Sequence, residues 1–175
     1  MQAFRRRRGF IICLLAAFGA GILPASAQQS ADSTKSELNR LLDKWHQDAA
    51  SCHHSAYIGA MSPTGVFIGT DATEYWTEKE FGVWSKPYFD RGKAWTFKAV
   101  SRHIFLGKDG STAWFDELLS TQMGICRGSG VLQKSGGEWK IEQYVLSATI
   151  PNDEMKAVTR NKSKTDSLLI LKSKF

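Results

Sequence analysis

The stretch AWFDELLSTQMGICRGSGVL, residues 113–132, sets the adjacent acids Asp116 and Glu117, with Cys126 and Arg127, in a run that otherwise reads as two buried strands. Charge is costly on an apolar sheet, so such groups are paired, face water or line a pocket. A carboxylate lining an apolar pocket has its pKa raised by desolvation and can serve as general acid or base. Alternation puts residues i and i+2 on one face of a strand. If GKDG closes a four-residue hairpin, Leu106 opposes Ser111. Ser101 and His103 then share a face with Trp114, Asp116 and Leu118, while Arg102 shares the other with Phe115 and Glu117. One acid therefore faces each side. The preferred arrangement has Asp116 inside, near His103 and Gln143, with Glu117 outside and paired to Arg102 or Arg127. A one-residue slip exchanges the two acids. The alternative role for Asp116 is a structural hydrogen bond to a strand or helix end.

The next hairpin follows the same logic. A turn at Ser135 to Glu138 pairs Leu132 with Ile141, so Cys126, Gly128, Gly130 and Leu132 face the same way as Ile141, Gln143, Val145 and Ser147. Arg127 then points outward unless a bulge at Gly128 re-aims it. His46, Cys52, His53 and His54 are of metal-ligand types, but His53 and His54 diverge around a helix and no HExxH string accompanies them. No metal and no cofactor are expected. The chain has no G-x-S-x-G elbow, P-loop or dinucleotide fingerprint, which argues against hydrolase triads and nucleotide chemistry.

These residues need a scaffold. Leu38, Leu41, Leu42 and Trp45 recur at helical spacing and predict an amphipathic helix over about 36–50. CHHSAYIGAM continues as a short second helix, ended by Gly59 and a turn at Ser62-Pro63-Thr64-Gly65. GVFIGTD reads as a strand. Thr77 and Glu80 have capping-box spacing and open a helix over about 78–90. AWTFKAVSRHIFL, STAWFDELLST, GICRGSGVLQK and EWKIEQYVLSATI then form a meander, turned at GKDG, TQMG and SGGE. Helices first and strands after predict an α+β domain.

Residues 1–27 read as a signal peptide: Arg5 to Arg8, an apolar stretch broken by glycines, then an A-x-A site with cleavage after Ala27. Arg7-Arg8-Gly9-Phe10-Ile11 also fits a twin-arginine signal. The expected location is periplasmic or secreted, with no stable membrane span after cleavage. Without Arg5 to Arg8 the chain keeps 19 basic and 17 acidic residues, and six of the basic ones lie in residues 156–175. The basic balance is mostly signal and tail, so nucleic acid is not an expected partner. Residues 28–35 read as a flexible polar leader, 36–155 as one domain and 156–175 as a basic tail that docks or stays disordered, with contact to a membrane surface as the alternative for LLILKSKF. Cys52 and Cys126 remain after cleavage and are disulfide candidates, or two separate thiols.

The order of elements, with the strings FIGTD, WTEKEFGVWSKPYF, RHIFL, AWFDELL, CRGSGVL and WKIEQYVLS, resembles a SnoaL-like domain of the nuclear transport factor 2-like superfamily over about residues 36–155. The resemblance implies helices packed in the concave face of a curved antiparallel sheet, a cone-shaped, cystatin-like arrangement with one deep pocket. It also implies a homodimer through the outer sheet face. In isomerase-like relatives a general base comes from the region of GTDATEYW, which makes Asp71 a second acid candidate beside Asp116 and His103. Trp45 and His46 occupy the helix where such relatives carry a tyrosine. Trp45, Trp76, Trp84, Phe89, Trp114, Glu117, Arg127 and Gln143 are the candidate ligand contacts. Three functions fit these residues. The first is a protein binding a small apolar or amphipathic molecule. The second is a cofactor-independent isomerase, cyclase or hydrolase using a pocket carboxylate. The third is a dimerisation or interaction module.

Overall fold

The computed structural model describes residues 25–172, so the expected signal segment lies almost wholly outside the described residues. The first helix, α1, runs Ala25–Ala50. Leu38, Leu42, Trp45 and Ala49 form its buried stripe, at the spacing read from the sequence. It starts earlier than predicted, so residues 28–35 are helical and not an irregular leader. The polar side chains there are accommodated on the helix itself: Thr34 Oγ1 and Ser36 Oγ donate to carbonyls four residues back.

α2 (His54–Gly59), β1 (Met61–Ile68), β2 (Tyr75–Thr77) and α3 (Glu78–Asp90) follow. α3 has the expected bounds because its capping box forms: the Glu80 amide donates to Thr77 Oγ1 while Glu80 Oε2 accepts from the Thr77 amide. The predicted turn at Ser62 to Gly65 is instead the irregular first half of β1, and the three-residue β2 was not anticipated. β3 (Lys98–Leu106), β4 (Thr112–Thr121), β5 (Gly124–Ser135) and β6 (Glu138–Ala148) form the meander. Gly110, Gly124 and Gly137 take positive φ in its three turns. A short 3-10 turn, Asn152–Glu154, leads into α4 (Met155–Lys172), so most of the basic tail is helical.

The six strands are ordered β2-β1-β6-β5-β4-β3, with helices against one face. All pairs are antiparallel except β1 with β6, which is parallel, so the sheet is mixed and not wholly antiparallel. Two bulges set which side chains point in. Val100 is the extra residue between the Ala99–Leu119 and Ser101–Leu118 pairs. On β6, Leu132 opposes Ile141 as predicted, but Val131 opposes Gln143, leaving Glu142 as the extra residue. Tyr144 and Leu146 therefore share the inner face with Ile141, and Gln143 and Val145 turn outward.

Aromatic rings fill the concave side. The Trp45 ring stacks on Tyr57 at 4.8 Å, and Phe67 stacks on Phe81 at 4.1 Å. Among the described residues no helix is long and apolar enough to cross a membrane.

Candidate functional site

The β3–β4 hairpin is two residues longer than GKDG alone implies: Leu106 opposes Ala113, not Ser111, and the register pairs Arg102 with Glu117 and His103 with Asp116. The two pairs thus fall on opposite faces, as expected, but the inside and outside assignments are reversed. Ala113, Phe115, Glu117 and Leu119 point into the core, and Glu117 is 0% exposed. Asp116 and His103 lie on the outer face, their side chains 46% and 64% exposed, with His103 Nδ1 3.0 Å from Asp116 Oδ1. Alternation could not choose between the faces, because each strand half offers apolar neighbours to both: Phe115 and Leu119 on one side, Trp114 and Leu118 on the other.

Glu117 is the centre of a buried network. Its Oε1 is 2.8 Å from His46 Nε2 and accepts from the Tyr144 hydroxyl at 3.0 Å. Its Oε2 accepts from Arg102 Nε at 2.8 Å, and Arg102 Nη2 lies at the same distance without a well-aligned N–H. Arg102 Nη1 reaches across to α1, donating to Asn39 Oδ1 at 3.1 Å and to Asp43 Oδ1 at 2.9 Å. One guanidinium thus ties the sheet to the first helix. Burial alone would raise the Glu117 pKa. The His46 hydrogen bond and the charges of His46 and Arg102 outweigh burial and hold the pKa below the usual carboxylate range. An ionised carboxylate only accepts, so His46 Nε2 carries a proton. Burial, then the Glu117 charge, pushes the Tyr144 hydroxyl well above its ordinary range, so it stays a donor. Gly128, opposite Glu117, leaves the room this needs: a Cβ there would run into the Tyr144 hydroxyl and stand 3.0 Å from Glu117 Cγ. A carboxylate so fully occupied suits an anchor more than a proton-transfer group.

The other candidate residues separate clearly. Trp45 and Phe89 are core residues, 1% and 4% exposed. Trp114 stands on the outer face, its ring 5.8 Å from Phe105, and Gln143 and Arg127 share that face. Asp71 is an exposed turn residue: its Oδ1 accepts from the Thr73 hydroxyl and amide, which lower its pKa. The considered disulfide is not formed. Both cysteines are free thiols, Cys126 enclosed with its Sγ 3.5 Å from Thr121 Oγ1 and Cys52 half-buried in the turn after α1. Among the described residues no three His, Cys, Asp or Glu side chains cluster to hold a metal ion.

Trp76 and Trp84 do line a cavity. A cleft of about 120 Å³ opens among Phe67, Trp76, Phe81, Trp84, Trp95 and Phe97, with Glu74 and Gln122 also on its wall. Trp76 stacks on Trp84 at 4.5 Å, and Trp84 is 38% exposed. Sequence reasoning missed Trp95, Phe97 and the inward roles of His46 and Tyr144. His46 had a signal, since it lies four residues after Leu42 on the buried stripe. Tyr144 had none, because the Glu142 bulge alone turns it inward.

The SnoaL-like domain family profile matches residues 38–151. No curated protein matches the chain. Among solved structures, an NTF2-like protein of unknown function from Pseudomonas putida is similar at TM-score 0.60 and 13% identity, over 69% of this chain and 90% of that one. A dehydratase candidate of the same fold family from Streptomyces avermitilis is similar at TM-score 0.59 and 10% identity, over 69% and 99%. A candidate calcium/calmodulin-dependent protein kinase II association domain from Xanthomonas campestris reaches TM-score 0.51 and 20% identity, over 66% and 87%. These likenesses show a common fold. With the profile spanning most of the folded region, the chain belongs to the SnoaL-like domain family.

Proposed function

We propose that this protein binds a small, flat, largely apolar molecule in the aromatic cleft at the open end of the sheet. The observation that carries this reading is the lining itself: ring faces from β1, β2, α3 and the segment before β3 converge on one space. At about 120 Å³ it is close to the ~150 Å³ apolar cavity known to admit benzene, so a single ring is the natural occupant. The likeness to a dehydratase candidate leaves room for chemistry on that ligand, with Glu74 as the carboxylate nearest to hand.

Two further properties belong to the same reading. The chain is exported, with its signal removed after Ala27, and it works outside the cytoplasm. It also pairs with a second copy through the outer sheet face, where Phe105, Trp114 and Val100 are exposed around the His103–Asp116 pair.

Titration of tryptophan fluorescence with toluene and benzyl alcohol tests the cleft. Both should quench saturably. Trp84→Ala should weaken binding about tenfold, since one stacked aromatic contact contributes up to ~1.5 kcal/mol. An absence of saturable binding by either probe would remove the reading.

A further inference from the structure

A second space lies on the far side of Phe97. It is a groove of about 340 Å³ between α1 and the start of β3, lined by Asp43, His46, Gln47 and Lys98 among others. Phe97 lines this groove and the aromatic cleft alike, so the two spaces meet at this residue. Phe97 stands in the irregular segment between α3 and β3, not inside a strand ladder. Its ring meets His46 edge-on at 5.9 Å.

His46 is the unusual feature of that groove. Its side chain is 5% exposed and its Nε2 is committed to Glu117, yet Nδ1 has no hydrogen-bond partner among the described residues. A buried polar atom left unpaired is costly, and in native structures such an atom calls for an explanation. Its surroundings favour an anion. Arg102 already engages the Asp43 carboxylate at 2.9 Å, whereas Lys98 forms no salt bridge among the described residues. Protonated at Nδ1, His46 would donate a charge-assisted hydrogen bond to a carboxylate held beside Lys98.

We infer that the aromatic cleft and the His46 groove are two compartments of one binding site separated by Phe97, and that its ligand is a planar ring carrying an acidic group. The ring occupies the cleft and displaces Phe97, and the acid reaches His46 Nδ1 and Lys98. This inference rests on the cleft-binding reading above.

Benzoate and benzyl alcohol, equal in ring size, separate the two ideas when titrated against the full chain by tryptophan fluorescence. Benzoate should bind about tenfold tighter, as one charge-assisted hydrogen bond allows. It should also shift the His46 Nδ1 resonance in a nitrogen-15 spectrum. His46→Gln should bring the two affinities together. Lys98→Gln, on an exposed side chain that the fold does not need, should reduce the same preference. Equal affinities in the native chain would overturn the inference and leave the cleft reading standing. A benzoate preference that survives both substitutions with the His46 resonance unmoved would do the same. If neither probe binds, the cleft reading falls and this inference falls with it.

Discussion

Glu117→Ala should destabilise the protein by about 3–5 kcal/mol in urea unfolding, the cost of leaving a buried ion pair half made. The substitution removes the acceptor for three donors at once. His46 Nε2, Arg102 Nε and the Tyr144 hydroxyl lose their common partner in a site that water does not reach. Arg102 would keep Asn39 and Asp43, so the tie to α1 would persist while its charge stood uncompensated on the sheet side. Replacing Arg102 and Glu117 together by Met and Leu should cost less than Glu117→Ala alone, because no uncompensated guanidinium is left, while His46 Nε2 and the Tyr144 hydroxyl lose their acceptor in both. A double replacement as damaging as the single one would mean that the packing here and the hydrogen bonds of His46 and Tyr144, not the unpaired Arg102 charge, set the cost.

The same carboxylate fixes the sign of an acid effect. Its pKa in the folded state lies below the ordinary glutamate value of 4.5, so its contribution is fully present above that value and lost as pH falls through the folded pKa. Stability should therefore drop steadily below pH 4.5. Glu117→Gln should flatten part of that decline. The remainder comes from Asp71, Glu80 and Asp109, exposed carboxylates whose pKa values are lowered by nearby hydroxyl and amide donors. A decline unchanged in Glu117→Gln would show that the buried carboxylate does not contribute it.

What the amino-acid sequence reveals here follows the range of the forces involved. α3 could be bounded from Thr77 and Glu80 because a capping box is a local hydrogen-bond exchange. The buried stripe of α1 and the turns at Gly110, Gly124 and Gly137 are legible for the same reason. That Arg102 and Glu117 share a face could also be anticipated, since alternation fixes it under either the expected or the observed register. Which face of that hairpin is buried could not. The choice depends on α1 placing His46 beside Glu117, a contact between residues 71 positions apart. The Glu142 bulge is harder still. Nothing in EWKIEQYVLS marks the extra residue, yet it exchanges Gln143 for Tyr144 on the inner face and so completes the network. The two-residue difference between the expected Leu106–Ser111 pairing and the observed Leu106–Ala113 keeps every side chain on its expected side, so Asp116 and His103 do share a face, but it is the outer one.

The tryptophans offer the sharpest division between scaffold and site. Trp45 is stacked on Tyr57, meets Tyr144 edge-on at 4.7 Å, and donates from Nε1 to the Tyr57 carbonyl at 2.9 Å. Trp45→Ala should cost about 3–5 kcal/mol, the range for emptying a large aromatic site in a core that cannot fully collapse. Trp45→Phe should keep most of the packing and lose only about 1 kcal/mol for the hydrogen bond. Trp84→Ala should leave stability within about 1 kcal/mol of the native chain, because that ring is partly open to solvent, with Trp76 stacked on it at the cleft wall. The two substitutions should therefore move opposite readouts. Urea midpoints should separate Trp45→Ala from the native chain, and ring-probe titrations should separate Trp84→Ala from it. If Trp84→Ala unfolded the protein as readily as Trp45→Ala, the cleft would be part of the core, and its small volume would have to be read as a packing defect, not as a place for a ligand.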